Sequence, residues 1–257
     1  MSQIVHWLQE DEIEHDAAAL LAEYEQTRNV VIIPPIPIED IVEKHLKLGI
    51  EFDDMHRLFG VPRSGLGFDP DIFGAIFFDK RRIIIDESLD PEGAPSKEGR
   101  YRFTLAHEGG GHWRLHRRLF VKDPAQVSLF NEPTQPSVVC RSSQAKEPIE
   151  WQADFYAACL LMPRKLVMAA WDGMFPDQRR YVMDRSRRDE IFTIADIEER
   201  EFEAKFEEWH NEQDMECLAR PLAQQFLVSP IAMRIRLESL GLLLRDAPRQ
   251  QSLRAYV

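Results

Sequence analysis

His107, Glu108 and His112 are the residues of this 257-residue chain whose types and spacing could do chemistry. A His-Glu pair followed by a second histidine opens the H-E-x-x-H signature. There, two histidines four apart on one helix face hold Zn²⁺ and the glutamate activates water. Here Gly109, Gly110 and Gly111 stand between, so the second histidine comes five residues after the first. A regular helix turns about 100° per residue, which sets an i,i+4 pair about 40° apart and an i,i+5 pair about 140° apart. On such a helix the two rings could not meet one ion.

Two geometries resolve the mismatch. A single-turn π-bulge, with i→i+5 bonding, absorbs the extra residue and realigns His107 with His112; such bulges recur at functional sites. Alternatively Glu108, His112 and His116, spaced i, i+4 and i+8, share one face of a regular helix and make a displaced site. The bulge is the expected geometry because it leaves Glu108 free to act as a base. On that reading, deleting one glycine would restore i,i+4 spacing and preserve metal affinity. The glycines cost a helix about 1 kcal/mol each relative to alanine, so the segment needs strong tertiary support or a metal. Glu150 and Asp154 lie four apart at the head of an apolar run, Phe155 to Met162, that stops at Pro163. On a helix, Glu150 supplies a third ligand. Asp154 accepts the other ring N–H of His107 or His112, an arrangement that fixes the tautomer of a metal-bound histidine.

With those segments in place, the chain resembles the ImmA/IrrE-type metallopeptidases, intracellular gluzincin-like proteins often encoded beside helix-turn-helix repressors. The resemblance is carried by Arg102 to Glu108, by Gly111 to His116 and by Glu150 to Asp154 through Leu160 to Pro163, and extends loosely over residues 30–245. It implies zinc held by His107, His112 and Glu150, with Glu108 as general base. It also implies a repressor-type DNA-binding protein as substrate. The extra glycine departs from the family pattern. It leaves a second function class open, a catalytically inactive regulatory or antitoxin-like binding protein that keeps the fold.

The elements that must position these residues read as α+β. Residues 2–28 carry Ile4, Trp7, Leu8, Ile13, Ala17, Leu20, Leu21 and Tyr24 at helical intervals among acidic residues, which predicts an amphipathic docking helix. Ile38 to Leu46 reads as a helix entered through Pro37 and stopped at Gly49, with His45 on its surface. Gly74 to Phe78 and Arg82 to Ile85 form a hairpin, the candidate edge for holding an extended substrate. Phe120 to Pro148 reads as a long loop or flap over the site. Gly173 to Arg188 reads as a polar connection, and Ile191 to Glu216 as a charged helix with Phe202, Phe206 and Trp209 on one stripe. Leu218 to Gly241 has helix-turn-helix organisation, with Ser229 as N-cap and Pro230 at N1, and Arg234 and Arg236 on the would-be recognition helix. The tail from Arg245 reads as disordered. The division is an N-terminal helix over 1–29, a zincin-like core with a small β-sheet over 30–175, and a helical, helix-turn-helix-like C-terminal subdomain over 176–257.

Composition limits the function classes. Net charge is −12 and the isoelectric point about 5.2, which disfavours a broad nucleic-acid surface; direct DNA binding through residues 218–243 is the minor alternative, and that helical pair is expected to pack or dock a partner. Arg114, Arg117 and Arg118, like Arg179, Arg180 and Arg185 to Arg188, read as solvated clusters. Cys140, Cys159 and Cys217 are odd in number and lack C-x-x-C spacing, which argues against disulfides and cysteine zinc sites; Cys159 reads as core and Cys140 as an exposed thiol. No run approaches eighteen apolar residues and no leader-like segment opens the chain, so a cytoplasmic protein with no membrane role is expected.

Overall fold

The computed structural model describes residues 6–60, 72–120, 138–141, 147–176, 180–183 and 207–245. It is mixed α+β and mostly helical with a small sheet. The chain forms two compact units, residues 1–167 with 225–228, and residues 168–224 with 229–257.

In the first unit, helix α1 (Glu10–Arg28) buries Ile13, Ala17, Leu20, Leu21 and Tyr24, the stripe read from the sequence. It begins later than that reading placed it. Gln9 and Glu12 cap it reciprocally, with Glu12 Oε2 accepting from the Gln9 N–H at 2.7 Å, so Trp7 and Leu8 lie outside the helix. Helix α2 (Ile38–Asp40) passes directly into π turns over Ile41–His45. His45 is mostly covered, edge-on to Tyr24 and 3.8 Å from Glu23, rather than a surface residue.

Strands β1 (Gly49–Asp53), β2 (Ile72–Phe77), β3 (Arg82–Asp86) and β4 (Val138–Arg141) make one sheet in the order β1-β3-β2-β4, and a short helix α3 (Met55–Phe59) follows β1. β1 runs parallel to β3, and β2 is antiparallel to both β3 and β4. The unbroken run Ile83, Ile84, Ile85 is buried, the signature of a strand covered on both faces. Ile84 joins Met55, Ile72, Ala75 and Phe77 on one side, while Ile83 faces the helices on the other. The hairpin β2–β3 is therefore interior and offers no free edge; β1 and β4 flank it. The β4 backbone lies where a loop or flap was read from the sequence; the rest of that stretch, residues 121–137 and 142–146, is outside the described residues.

Helix α4 (Glu98–Leu105) continues into a π-helix over Ala106–His116 and then α5 (Arg117–Phe120). Helix α6 (Pro148–Leu161), with Pro148 in its first turn, packs on both α1 and the π-helix. Helix α7 (Arg164–Met174) starts in the first unit and ends in the second.

The second unit contains β5 (Tyr181–Met183), α8 (Glu207–Phe226) up to residue 224, α9 (Pro230–Ser239) and β6 (Leu243–Arg245), with β5 and β6 paired in parallel. Ser229 caps α9 by accepting from the Ala232 N–H at 3.1 Å, and Pro230 fills N1. Arg234 and Arg236 are buried, and Arg234 lies between Glu216 (3.4 Å) and Glu238 (2.7 Å). The large hydrophobic side chains this helix exposes are Ile231 and Ile235. The stripe Phe202, Phe206 and Trp209, the Cys140 thiol, the arginines at 179, 185, 187 and 188, and the tail beyond 245 are outside the described residues or side chains. No described helix is long and apolar enough to cross a membrane.

Candidate metal centre

The i,i+5 spacing is accommodated by i→i+5 bonding that spans all of Ala106–His116, rather than by a single-turn bulge. His107 and His112 come together with ring centroids 4.6 Å apart. The glycines explain why so long a π-helix is tolerated, because each lets another element approach. A Cβ on Gly109 would meet Val42 Cγ2 at 2.7 Å, and one on Gly110 would meet Leu160 and the Tyr156 ring at 2.9 and 3.0 Å. A Cβ on Gly111 would meet the backbone of Ala153, with Cα at 2.6 Å. Ala153 lies between Glu150 and Asp154, so the Gly111 contact brings the carboxylates to the histidines.

His107, His112 and Glu150 offer ligand atoms within 4.8 Å of one another, and all three residues are buried. Glu150 Oε2 is 3.2 Å from His107 Nε2 and Oε1 is 3.6 Å from His112 Nε2. His107 Nδ1 lies 2.8 Å from Asp154 Oδ1. A carboxylate accepts, so His107 carries its proton at Nδ1 and turns a lone pair toward Glu150. Burial pushes the His112 imidazole down to about 3, against the opposing pull of the nearby Glu150 carboxylate. Burial alone would raise Glu150, yet the facing His107 and His112 imidazoles outweigh it and hold the carboxyl at about 2. Neutral imidazole and ionised carboxylate are the forms that bind metal. Acceptors facing one another in a buried space could hold a metal ion, and a donor set of two nitrogens and one carboxylate oxygen is one that zinc accepts.

Glu108 stands beside these groups but is turned to the sheet. It is fully buried, and neither carboxylate oxygen has a hydrogen-bond partner among the described residues. Burial pushes its carboxyl up to about 8, helped by Glu150 and Asp154 and opposed by His107. Its room comes from Gly74 of β2, where a Cβ would sit 2.7 Å from Thr104 Cγ2 and 3.2 Å from Glu108 Oε1. A glycine inside an apolar strand is the signal of such a close approach, though sequence reasoning did not attach Gly74 to the site.

His107, His112, Glu150 and Asp154 thus sit in the expected relation, while the displaced set is not brought together. His116 does not face Glu108's side of the site; its Nδ1 is 3.1 Å from His112 Nδ1 and its Nε2 is 2.9 Å from Gln152 Oε1. Burial lowers its imidazole as well. Arg114 departs from the solvated cluster read from the sequence. It joins the π-helix to α1 through Asp16 at 2.9 Å and Glu23 at 2.7 Å, and the Tyr156 hydroxyl of α6 donates to the same Asp16 oxygen at 3.0 Å. Residues so far apart in sequence carry no local signal of pairing. No protein-family model matches the chain, and comparison with curated proteins finds no match.

Proposed function

We propose that this protein is a zinc-dependent peptidase of the ImmA/IrrE type, acting in the cytoplasm on a repressor-type DNA-binding protein, with the helices and small sheet of its first unit forming a zincin-like core. The observation that carries the metal is the convergence of His107 Nε2, His112 Nε2 and Glu150 on one buried point. The substrate class rests on the family resemblance. When bound, zinc supplies Lewis acidity toward a carbonyl oxygen and toward water.

The chain's own residues supply the rest. Asp154 holds His107 as the Nδ1–H tautomer. Glu108, whose oxygens have no competing partner among the described residues, takes a proton from the attacking water on a carboxylate oxygen and delivers it to the departing amine. Its raised pKa, near neutral pH, suits both halves of that transfer. Because the β2–β3 hairpin is interior, an extended substrate would pair with β4, the edge strand next to β2.

The test is incubation of zinc-loaded protein with a helix-turn-helix protein encoded beside it, following cleavage by intact mass. One cut with wild type and none with Glu108→Gln is expected. The near-complete burial of Glu108, His107 and His112 favours a second reading, a metal-holding regulatory protein without turnover. Zinc bound at one per chain with no cleavage of any such partner would establish that reading instead.

A further inference from the structure

Resting on the metal reading above, we infer that His116, Gln152 and the backbone carbonyl of His6 form a positioning chain. It holds His112 in the one tautomer able to ligate metal, so the segment ahead of α1 tunes the affinity of the centre.

A backbone carbonyl only accepts, and Gln152 Nε2 lies 2.9 Å from the His6 oxygen, so the amide nitrogen points outward and Oε1 inward. Oε1 also only accepts. His116 Nε2, 2.9 Å away, must therefore carry a proton. His116 is buried, and its ring nitrogens face an amide and another imidazole rather than a carboxylate, so it is neutral and its Nδ1 is bare. Between that atom and His112 Nδ1, at 3.1 Å, one proton is needed, and it belongs to His112. The bare nitrogen of His112 is then Nε2, the atom facing Glu150. Each link leaves the next a single choice.

The outer end is exposed while the inner end is sealed. His6 is at the surface and Trp7 is 51% exposed, whereas Gln152 and His112 are fully buried. The strap is seated by Trp7 stacking on Trp151, with centroids 4.9 Å apart and planes 12° from parallel, and Trp151 in turn stacks on Phe155. Without the strap the Gln152 amide is free to turn over. Its nitrogen would then donate to His116 Nε2, His116 would carry its proton at Nδ1, and His112 would be left protonated at Nε2, where it cannot bind metal.

The experiment is zinc titration against a chromophoric chelator on the full-length protein, paired with side-chain ¹⁵N shifts of the metal-free form. His116→Phe removes the acceptor, and Gln152→Leu removes the outer links. Each is expected to weaken zinc by roughly 10- to 100-fold. His116→Gln can accept from His112 and donate to Gln152, and is expected to restore most of the affinity. Trp7→Ala is expected to weaken binding in the same direction. In wild type, His112 should show a protonated Nδ1 and a bare Nε2, with the other tautomer entering in Gln152→Leu. A protonated His112 Nε2 in wild type, or zinc affinity unchanged in His116→Phe and Gln152→Leu, would overturn the positioning chain. If wild type itself bound no zinc, the metal reading would fall instead, and the nitrogen shifts would still decide the tautomer.

Discussion

At the scale of single residues, the centre holds three groups in the protonation states that a metal needs and one group that a metal would change. Glu108 is the one that would change. In the metal-free fold its carboxyl is held at about 8 against an ordinary 4.5, so the folded state keeps a proton that the unfolded chain has released. Stability contributed this way is full below the ordinary value and is lost as pH rises toward 8. His112 and Glu150 are shifted the other way, to about 3 and about 2. The unfolded chain takes up their protons first, and stability is lost as pH falls below 6.5 for His112 and below 4.5 for Glu150. Of these three contributions, only that of Glu108 is lost between pH 6.5 and 8. Urea unfolding of metal-free protein across that window is expected to show stability falling with pH by at most about 1.4 kcal/mol per unit. Glu108→Gln should flatten the slope, and a slope unchanged in that variant would mean Glu108 is not the group responsible. The same substitution is expected to leave zinc bound while lowering any cleavage rate by roughly 10²- to 10⁴-fold.

At the scale of elements, the π-helix and α6 behave as one device, joined where glycine meets backbone. Gly111→Ala would press a methyl group on the Ala153 backbone, and is expected to cost about 1–3 kcal/mol through overpacking, with weakened zinc binding as α6 is pushed off the histidines. Gly173→Ala in α7 meets nothing within 4 Å, and is expected to gain about 0.8–1 kcal/mol from helix propensity. Chemical denaturation of both variants checks the contrast; equal effects would show that the glycines are not there for packing. Deleting one glycine is no longer expected to preserve affinity. The π register runs on to His116, so a deletion would displace Arg114 from Asp16 and Glu23 and His116 from Gln152. The histidine spacing and the α6 carboxylates were legible because each is a short-range pattern. The length of the π-helix was not, because it depends on what the glycines touch: Val42, Leu160, Tyr156 and Ala153, each distant in sequence. The interior place of the β2–β3 hairpin was hidden for a similar reason, since β4 is short and sits in a polar, proline-rich stretch with no periodicity.

At the scale of the whole molecule, metal binding and folding of the first unit should be linked, since a ligand that binds only the folded state stabilises it by mass action. Zinc at about a hundredfold its dissociation constant is expected to add about 2.7 kcal/mol. Hydrogen exchange should place that gain in the π-helix, α6 and α1. Protection rising only in α8 and α9 would contradict the assignment. In the second unit the capped turn at Ser229 was readable from residue types, but the burial of Arg234 was not, because it depends on Glu216 and Glu238. The most direct test of the metal centre is elemental analysis of purified protein, wild type beside Glu150→Ala, with circular dichroism to verify the fold of each. About one zinc per wild-type chain is expected, and none in the variant, because losing the carboxylate leaves two ligands where a catalytic site needs three. A folded wild-type protein that takes up no zinc, or a Glu150→Ala variant that keeps a full equivalent, would contradict it.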